Sequence, residues 1–316
     1  GAGHEFCSDA YYAMLAPLEK RFGVSFPRFA GEQTPVDVEN CFYDTLLVIR
    51  KILDDQRQVS GFVAARLVEA GRRLEGLNRR PRERRPRLEA LYTDHVQPEI
   101  IPPELSYKPG ARATLRGALG DTFGYLNRLT DGAFIGAAAD LLDSTSISKL
   151  GQGFPPGFYN AVANPETRMI ATGGICEDCM GAFMSGVAAY GAHIGVGSSY
   201  GAFIVALQHI AARLHGIGQQ ARLAALGEPY RTFVIVCAHA GLKTGEDGAT
   251  HADPQALQLV QGNFPAGVLI TLTPWDPQEL WPMTTAALKK RPAVLVPFVT
   301  RPAETIVDRA KMKLPP

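Results

Sequence analysis

The sequence predicts an α/β domain built on a doubly wound, mostly parallel sheet, preceded by a helical segment. From residue 111 onward, short and nearly continuous apolar runs alternate with longer runs of helical spacing, as in a parallel sheet that helices cover on both faces. Before residue 108, apolar residues recur at helical spacing and no convincing strand is predicted. We therefore expect a helical arm or linker over 7–110 and the α/β domain over 111–316.

The bulk composition excludes several classes of function. Of 316 residues, 46% are hydrophobic, which is enough for a core, and no run approaches the ~20 apolar residues that cross a bilayer. The net charge of +1, from 32 basic and 31 acidic side chains, gives no general attraction to nucleic acid or membranes. Five cysteines without a dense framework favour a reducing compartment, and no signal-peptide pattern opens the sequence. We expect a cytoplasmic protein with free thiols.

The first third of the chain contains helices and a charged break. Residues 1–6 are interpreted as a vector remnant and set aside. Helical spacing predicts helices over 36–58 and 61–77. Residues 78–87 then combine prolines with charge, and eight arginines lie between positions 72 and 87. Because no aromatics are interleaved, the run favours a solvated face over a nucleic-acid patch.

The α/β part alternates helices with strands. Apolar runs predict strands over 133–139, 169–171, 193–196, 232–238, 268–272 and 293–296. Helical spacing predicts helices over 114–130, 179–189, 200–214, 254–261 and 277–289. An open parallel sheet binds its ligands beyond the carboxyl ends of the strands. A functional site is therefore expected in the loops that follow them.

Polar side chains follow four of these predicted strands. Asp140 follows the first strand, Glu177 the second and His239 the fourth. Ser198 and Ser199 follow the third. Since the carboxyl ends of parallel strands share one edge of the sheet, these groups are expected to lie on one rim.

Glu177 lies in the run Gly-Gly-Ile-Cys-Glu-Asp-Cys-Met-Gly, where glycines and small apolar residues predict a dry pocket around the carboxylate. The alternative is an acid at a helix N-terminus, stabilised by the helix dipole. Cys176 and Cys179 form a Cys-x-x-Cys, which suggests a redox pair, half a zinc site or two small packed thiols. Zinc needs four ligands and no second pair is spaced for it, and the rest of a thioredoxin-like unit, which a redox pair would need, is absent. The sequence therefore favours packing of the two thiols.

Two runs carry a resemblance to the transketolase family. The Glu177 run is similar to that family's Arg-Glu-His-Ala-Met-Gly. Residues 239–251 resemble its His-Asp-Ser-Ile-Gly-x-Gly-Glu-Asp-Gly-Pro-Thr-His, and the matching positions are His239, Gly245, Glu246, Asp247, Gly248, Thr250 and His251. The resemblance covers about 111–300 and implies the thiamine-diphosphate-binding fold of the pyrimidine type.

The resemblance implies a set of cofactor-binding residues. Glu177 would bind N1′ of the aminopyrimidine of thiamine diphosphate and so activate the cofactor. Tyr200 and Phe203 would pack on the pyrimidine, as two of three aromatics in the family's Thr-Phe-x-x-Phe-x-x-Tyr, with Ala206 in the third place. Asp140, in a run similar to Ser-Ala-Asp-Leu, would also contact the cofactor.

The resemblance also implies substrate-binding residues. Asp247 and His251 would face the hydroxyls of the donor sugar or the reacting intermediate, in a catalytic role. Other implied substrate contacts are His239, Ser144 and Arg116. One departure is that Thr273-Pro274-Trp275-Asp276 stands where the family has Arg-Pro-Ala-Asp, which should weaken recognition of phosphorylated sugars.

The sequence contains no Gly-Asp-Gly run, which in the family holds the diphosphate through a divalent ion. We therefore expect one subunit of a split enzyme or part of a longer chain, active with a diphosphate-binding subunit or domain that holds Mg²⁺ or Ca²⁺. A homodimer or heterotetramer is implied, as is two-carbon ketol transfer from a ketose to an aldehyde. The alternatives are a β-type subunit of a 2-oxo acid dehydrogenase, a deoxyxylulose-phosphate synthase-like enzyme, and a non-catalytic regulatory subunit.

Overall fold

The structure is a computed structural model. It describes residues 8–29, 34–78, 80, 83, 85–139, 142–241, 247–253 and 255–314, without the side chains of 208–210 and 259. Asp140, Gly245 and Glu246, which the sequence analysis singled out, lie outside the described residues, as do several arginines of the charged break. The chain divides into two compact units, Gly1–Arg82 and Glu83–Pro316.

The first unit is helical, as predicted. Its helices are α1 (Asp9–Phe22), α2 (Pro35–Asp55) and α3 (Arg57–Gly76). Ser8 caps α1 by accepting a hydrogen bond from the amide of Tyr11, and Thr34 caps α2 in the same way. A small apolar cluster forms around Tyr11, Leu15 and Phe26. No described helix in the chain is long and apolar enough to cross a membrane.

The second unit contains the predicted parallel sheet. Its strands are β2 (Phe134–Ala138), β3 (Ile194–Tyr200), β4 (Phe233–Ala238), β5 (Leu269–Leu272) and β6 (Val294–Val299), in the spatial order β2-β3-β4-β6-β5. All neighbouring pairs are parallel. A separate antiparallel pair joins β1 (Arg112–Thr114) to β7 (Ala303–Thr305). The predicted fold class is confirmed.

Helices cover both faces of this sheet. They are α4 (Leu115–Leu129), α5 (Glu177–Tyr190), α6 (Arg213–Leu226), α7 (Ala256–Gln261) and α8 (Leu280–Lys289). Alternate residues of β4 belong to two different apolar clusters, because successive side chains of a strand point to opposite faces. Val234 and Val236 pack with residues of α4 and α8, whereas Ile235 packs with residues of α5 and α7.

Two predicted elements are wrong. The expected strand at 169–171 is a single parallel bridge between Met169 and Gly136, since the chain turns away at Gly173 with a positive φ of 80°. The expected helix at 200–214 does not begin at Tyr200, because β3 continues to that residue and pairs it with Ala238. A 3₁₀ turn, Gly201–Phe203, and a π-helical stretch, Leu207–Ala212, then lead into α6.

The register of the central strands builds the functional edge. Tyr200 at the end of β3 lies opposite Ala238 of β4, and Ala238 lies opposite Val299 of β6. The strands therefore end side by side, and the next residues, His239 and those after Val299, emerge at one edge. Ser198 and Ser199 lie inside β3 and are buried, so they do not follow the strand as predicted.

Gly195 lets β3 approach α5 closely. A Cβ at this position would clash with the backbone carbonyl oxygen of Met184 in α5, which cannot move without shifting the helix. We expect Gly195→Ala to lower the free energy of unfolding by about 1–3 kcal/mol, measured by urea denaturation. The matched control is Gly186→Ala in α5, where a Cβ would meet nothing within 4 Å. This change should raise the free energy of unfolding by about 0.5–1 kcal/mol, because alanine favours the helix more than glycine does. Equal effects of the two changes would contradict the close approach.

Candidate functional site

The candidate site lies at the carboxyl edge of the sheet and is centred on His239. This residue follows β4, adopts a positive φ of 52° and is 0% exposed. Its Nδ1 contacts the carboxylate of Asp247, and its Nε2 lies 2.9 Å from Nη1 of Arg116. Its ring stacks on Tyr200, with 4.3 Å between the ring centroids and an interplanar angle of 11°. The site is thus built around a buried and fully contacted imidazole.

The surroundings of His239 fix its protonation state. Burial lowers the pKa of the imidazole below its ordinary value and Arg116 lowers it further, although the Ser144 carbonyl and Asp247 favour the protonated ring. The ring is therefore neutral at pH 7. Nδ1 contacts the Asp247 carboxylate, and Nε2 lies 2.9 Å from the Arg116 guanidinium and 3.2 Å from the Ser144 carbonyl oxygen.

Asp247 is held from two sides. Its Oδ2 contacts His239, and its Oδ1 forms an ion pair with Nη1 of Arg301. Burial acts to raise the pKa of this carboxyl group, but the hydrogen bond and charge of Arg301, together with the contact to His239, outweigh it. The pKa is lowered overall, so Asp247 remains ionised near neutral pH.

Ser144 connects the polar groups to the aromatic ones. The hydroxyl of Tyr200 donates to Ser144 Oγ at 3.0 Å, and Arg116 Nη1 donates to the Ser144 carbonyl and lies 3.4 Å from its Oγ. Arg116 reaches this point from the first turn of α4, whose N-cap Thr114 accepts a hydrogen bond from the Gly117 amide. Three of the predicted substrate-binding residues, Arg116, Ser144 and His239, therefore lie together.

Glu177 lines a small pocket beside this cluster. It is the first residue of α5, and its Oε1 accepts a hydrogen bond of 2.9 Å from Ser199 Oγ. The pocket is lined by Thr145, Ile175, Glu177, Ser198, Ser199, Tyr200 and Phe203. The Glu177 side chain is half-buried, lies at the N-terminus of a helix and lines a pocket. The sequence offered a dry pocket and a helix N-terminus as alternatives, and each describes part of this position.

His251 adds an aromatic edge to the same place. Its ring meets Phe203 edge-on at 5.4 Å and Tyr200 at 5.7 Å. Its Nδ1 lies 2.9 Å from Thr250 Oγ1. The predicted pyrimidine-contacting pair, Tyr200 and Phe203, has its ring centroids 6.3 Å apart, although the two residues do not share a helix. Of the predicted catalytic, cofactor-binding and substrate-binding residues that the structure describes, all but Glu177 therefore lie in one connected set of contacts, and Glu177 shares its pocket with Tyr200 and Phe203.

Arg301, the role of Ser199 and the exposure of two cysteines were not predicted. Arg301 was not singled out, although a basic residue shortly after a predicted strand is the signal that could have found it. The hydroxyl of Ser199, which donates to Glu177, was placed on the rim without a role. Cys176 and Cys179 were expected to pack as buried thiols, and that is wrong because both are exposed at the start of α5.

Comparison with known proteins identifies the family. A family model described as the transketolase pyrimidine-binding domain matches residues 112–302. This chain belongs to that family. Membership implies a function related to thiamine diphosphate and confirms the resemblance seen in the sequence. No curated protein sequence gives a match.

Solved transketolases share the fold. The enzyme from Leishmania mexicana aligns with a TM-score of 0.56 and 19% identity over 92% of this chain and 38% of that chain. The enzyme from Campylobacter jejuni aligns with a TM-score of 0.53 and 17% identity over 94% of this chain and 39% of that chain. A transketolase mutant from Pichia stipitis in complex with xylulose 5-phosphate aligns with a TM-score of 0.53 and 21% identity over 91% of this chain and 38% of that chain. The chain thus spans less than half the length of these transketolases.

Three histidines, two buried and one half-buried, predict sensitivity of this domain to acid. Burial lowers the pKa of His193, His215 and His239 below the ordinary histidine value. Below about pH 6.5 the histidines of the unfolded chain bind protons, whereas those of the folded chain stay neutral to lower pH. The histidine contribution to the free energy of unfolding is therefore fully present above that pH and decreases below it. We expect the thermal midpoint, followed by circular dichroism, to fall between about pH 7 and pH 5. A midpoint that rises on acidification would contradict this assignment.

Proposed function

We propose that this chain binds the aminopyrimidine ring of thiamine diphosphate beside Glu177 and acts in two-carbon ketol transfer from a ketose to an aldehyde. The observation that carries the proposal is the Glu177 carboxylate, fixed by the Ser199 hydroxyl in a pocket with aromatic walls. The family supports a function related to this cofactor.

The pocket fits an aminopyrimidine in its chemistry. The ligand is a flat ring with basic nitrogens, which requires apolar faces and a carboxylate in the ring plane. Phe203, Tyr200 and Ile175 supply the apolar surface, and Glu177 supplies the carboxylate. A carboxylate that shares a proton with a ring nitrogen forms a charge-assisted hydrogen bond, which is stronger than a neutral one. Ser199 holds one carboxylate oxygen and so limits the directions in which the acid can rotate.

The neighbouring polar cluster is suited to a sugar. When bound, the cofactor supplies the carbon nucleophile for the ketose carbonyl, and the protein supplies binding and orientation. Asp247, kept ionised by Arg301, would accept a hydrogen bond from a donor hydroxyl. Arg116 and the Ser144 hydroxyl would bind a terminal hydroxyl or phosphate group, and His239 keeps both in place from its buried position. His251 would contact the substrate from the open side of the pocket.

Exposed apolar side chains beside the pocket support a partner subunit or domain. Two large apolar side chains that line the pocket are exposed, Ile175 by 71% and Phe203 by 45%, and Phe183 further along α5 is exposed by 54%. Covering such a surface stabilises an association because apolar area leaves water. We propose that a diphosphate-binding partner, in a homodimer or a heterotetramer, covers this side of the pocket and holds Mg²⁺ or Ca²⁺ together with the diphosphate.

Removing the charge of Glu177 tests its role. We expect Glu177→Gln to reduce ketol transfer by the complex with its partner by about 100-fold or more, because a neutral amide cannot take up the shared proton. Asp178→Asn is the matched control, since Asp178 is the next residue of α5, is exposed and does not line the pocket. The measurement is the initial rate with ketose and aldehyde at saturating cofactor. Full activity of the Gln variant would favour a non-catalytic subunit.

Partner dependence is tested by calorimetric titration. Thiamine diphosphate with Mg²⁺ is added to this chain alone, and then to a mixture with a candidate diphosphate-binding subunit. We expect tight, stoichiometric binding only in the mixture, because the isolated chain holds only the pyrimidine end. Tight binding to the isolated chain would exclude the partner requirement.

A further inference from the structure

Two exposed cysteines flank Glu177 at the start of α5. Cys176 is the N-cap residue, with an extended backbone (φ −150°, ψ 94°), and its side chain makes no capping hydrogen bond. Cys179 lies in the first helical turn, three residues further on. Both side chains are exposed, whereas Cys41 and Cys237 are buried. In the chain without its proposed partner, the pair is therefore accessible to small thiols and disulfides in solution.

Cys176 and Cys179 stand three residues apart at the start of α5, with Cys176 at the extended N-cap and Cys179 in the first helical turn. A disulfide needs their Cβ atoms about 3.5–4.5 Å apart. Because Cys176 lies outside the helix, a shift of the N-cap can bring its side chain to Cys179. The preceding Gly173 and Gly174 lie in open space, since a Cβ on either would meet nothing within 4 Å, and a glycine backbone adopts many conformations.

The rest of α5 cannot follow such a shift. Met180 is fully buried, and a Cβ on Gly181 would lie 2.9 Å from Leu207, so the helix is packed tightly from its second turn. Closing the pair therefore distorts the N-cap and first turn, where Glu177 stands. The hydrogen bond from Ser199 to Glu177 depends on the position of that turn.

A metal site does not explain the pair. Among the described residues no group of three or more histidine, cysteine, aspartate or glutamate side chains is arranged to hold a metal ion. Zinc bound by two thiolates would require two further ligands close by.

We propose that Cys176 and Cys179 form a reversible intrachain disulfide that displaces Glu177 and thereby weakens pyrimidine binding. The disulfide itself is independent of the function proposed above, whereas its effect on binding rests on that function. Disulfides in reducing compartments, where they occur, are mostly transient and regulatory.

The reaction uses a low-molecular-weight disulfide such as glutathione disulfide as the oxidant. The thiolate of one cysteine attacks the S–S bond of glutathione disulfide, which breaks and releases one glutathione thiolate. The second cysteine then attacks the mixed disulfide, and the second glutathione leaves. Two cysteine thiols are oxidised, one glutathione disulfide is reduced to two glutathiones, and the two thiol protons end on the released glutathiones.

Peptide mass spectrometry after equilibration in glutathione buffers tests the disulfide. The full chain is acid-quenched, alkylated and digested with trypsin, which releases both cysteines in the single peptide 169–213. In oxidising buffer we expect this peptide to be lighter by two hydrogens and to carry no alkyl label, while Cys41 and Cys237 become labelled after unfolding. The variants Cys176→Ser and Cys179→Ser should instead carry one glutathione or none. Two free thiols, or one glutathione on each cysteine, would overturn the proposal.

Binding of 4-amino-2-methylpyrimidine, followed by NMR, tests the effect on Glu177. We expect the oxidised chain to bind at least about 10-fold more weakly than the reduced chain, and Cys179→Ser to bind equally in both buffers. A disulfide with unchanged binding overturns the regulatory step and leaves the proposed function standing. Binding that is absent in both states, or unaffected by Glu177→Gln, overturns the proposed function together with the regulatory step, but not the disulfide.

Discussion

The burial of one imidazole ring constrains the whole carboxyl edge of the sheet. A buried ring with unpaired nitrogens would be costly, so both nitrogens of His239 need partners inside the protein. Asp247 contacts one nitrogen and Arg116 the other. Each partner is held in turn, Asp247 by Arg301 and Arg116 by Ser144. Because every group in this series fixes the next, the site is organised before any ligand arrives.

Tyr200 joins the two halves of the site. Its ring stacks on His239 and lines the Glu177 pocket, and its hydroxyl donates to Ser144. The pocket that we assign to the pyrimidine and the polar cluster that we assign to the sugar therefore share one wall. Such an arrangement would hold the cofactor and substrate close together, which lowers the entropic cost of reaction between them. Oxidation of Cys176 and Cys179 would act on one half only, through the first turn of α5.

Much of the fold could be predicted from local sequence because its strands are buried on both faces. The strands β2, β4, β5 and β6 lie within a residue or a few residues of their predicted bounds, since each is a short apolar run. The two errors have a common cause. The run at 169–171 is apolar but makes only one bridge, and Tyr200 continues a strand instead of starting a helix. In both places the secondary structure depends on how far the segment pairs with a strand that is distant in the sequence. Apolar periodicity within a short window carries no information about that pairing.

The amino-acid sequence was sufficient for the fold class, the family and the residue types of the site, because apolar periodicity and short motifs are local properties of the chain. Long-range packing was needed to choose the partners of each group. Arg301 reaches Asp247 from 54 positions away, and Ser199 reaches Glu177 from the neighbouring strand. The exposure of Cys176 and Cys179 was equally invisible in the motif. Burial and hydrogen bonding depend on which elements contact one another in the folded chain. Here the register of β3, β4 and β6 determines which residues come together at the carboxyl edge of the sheet.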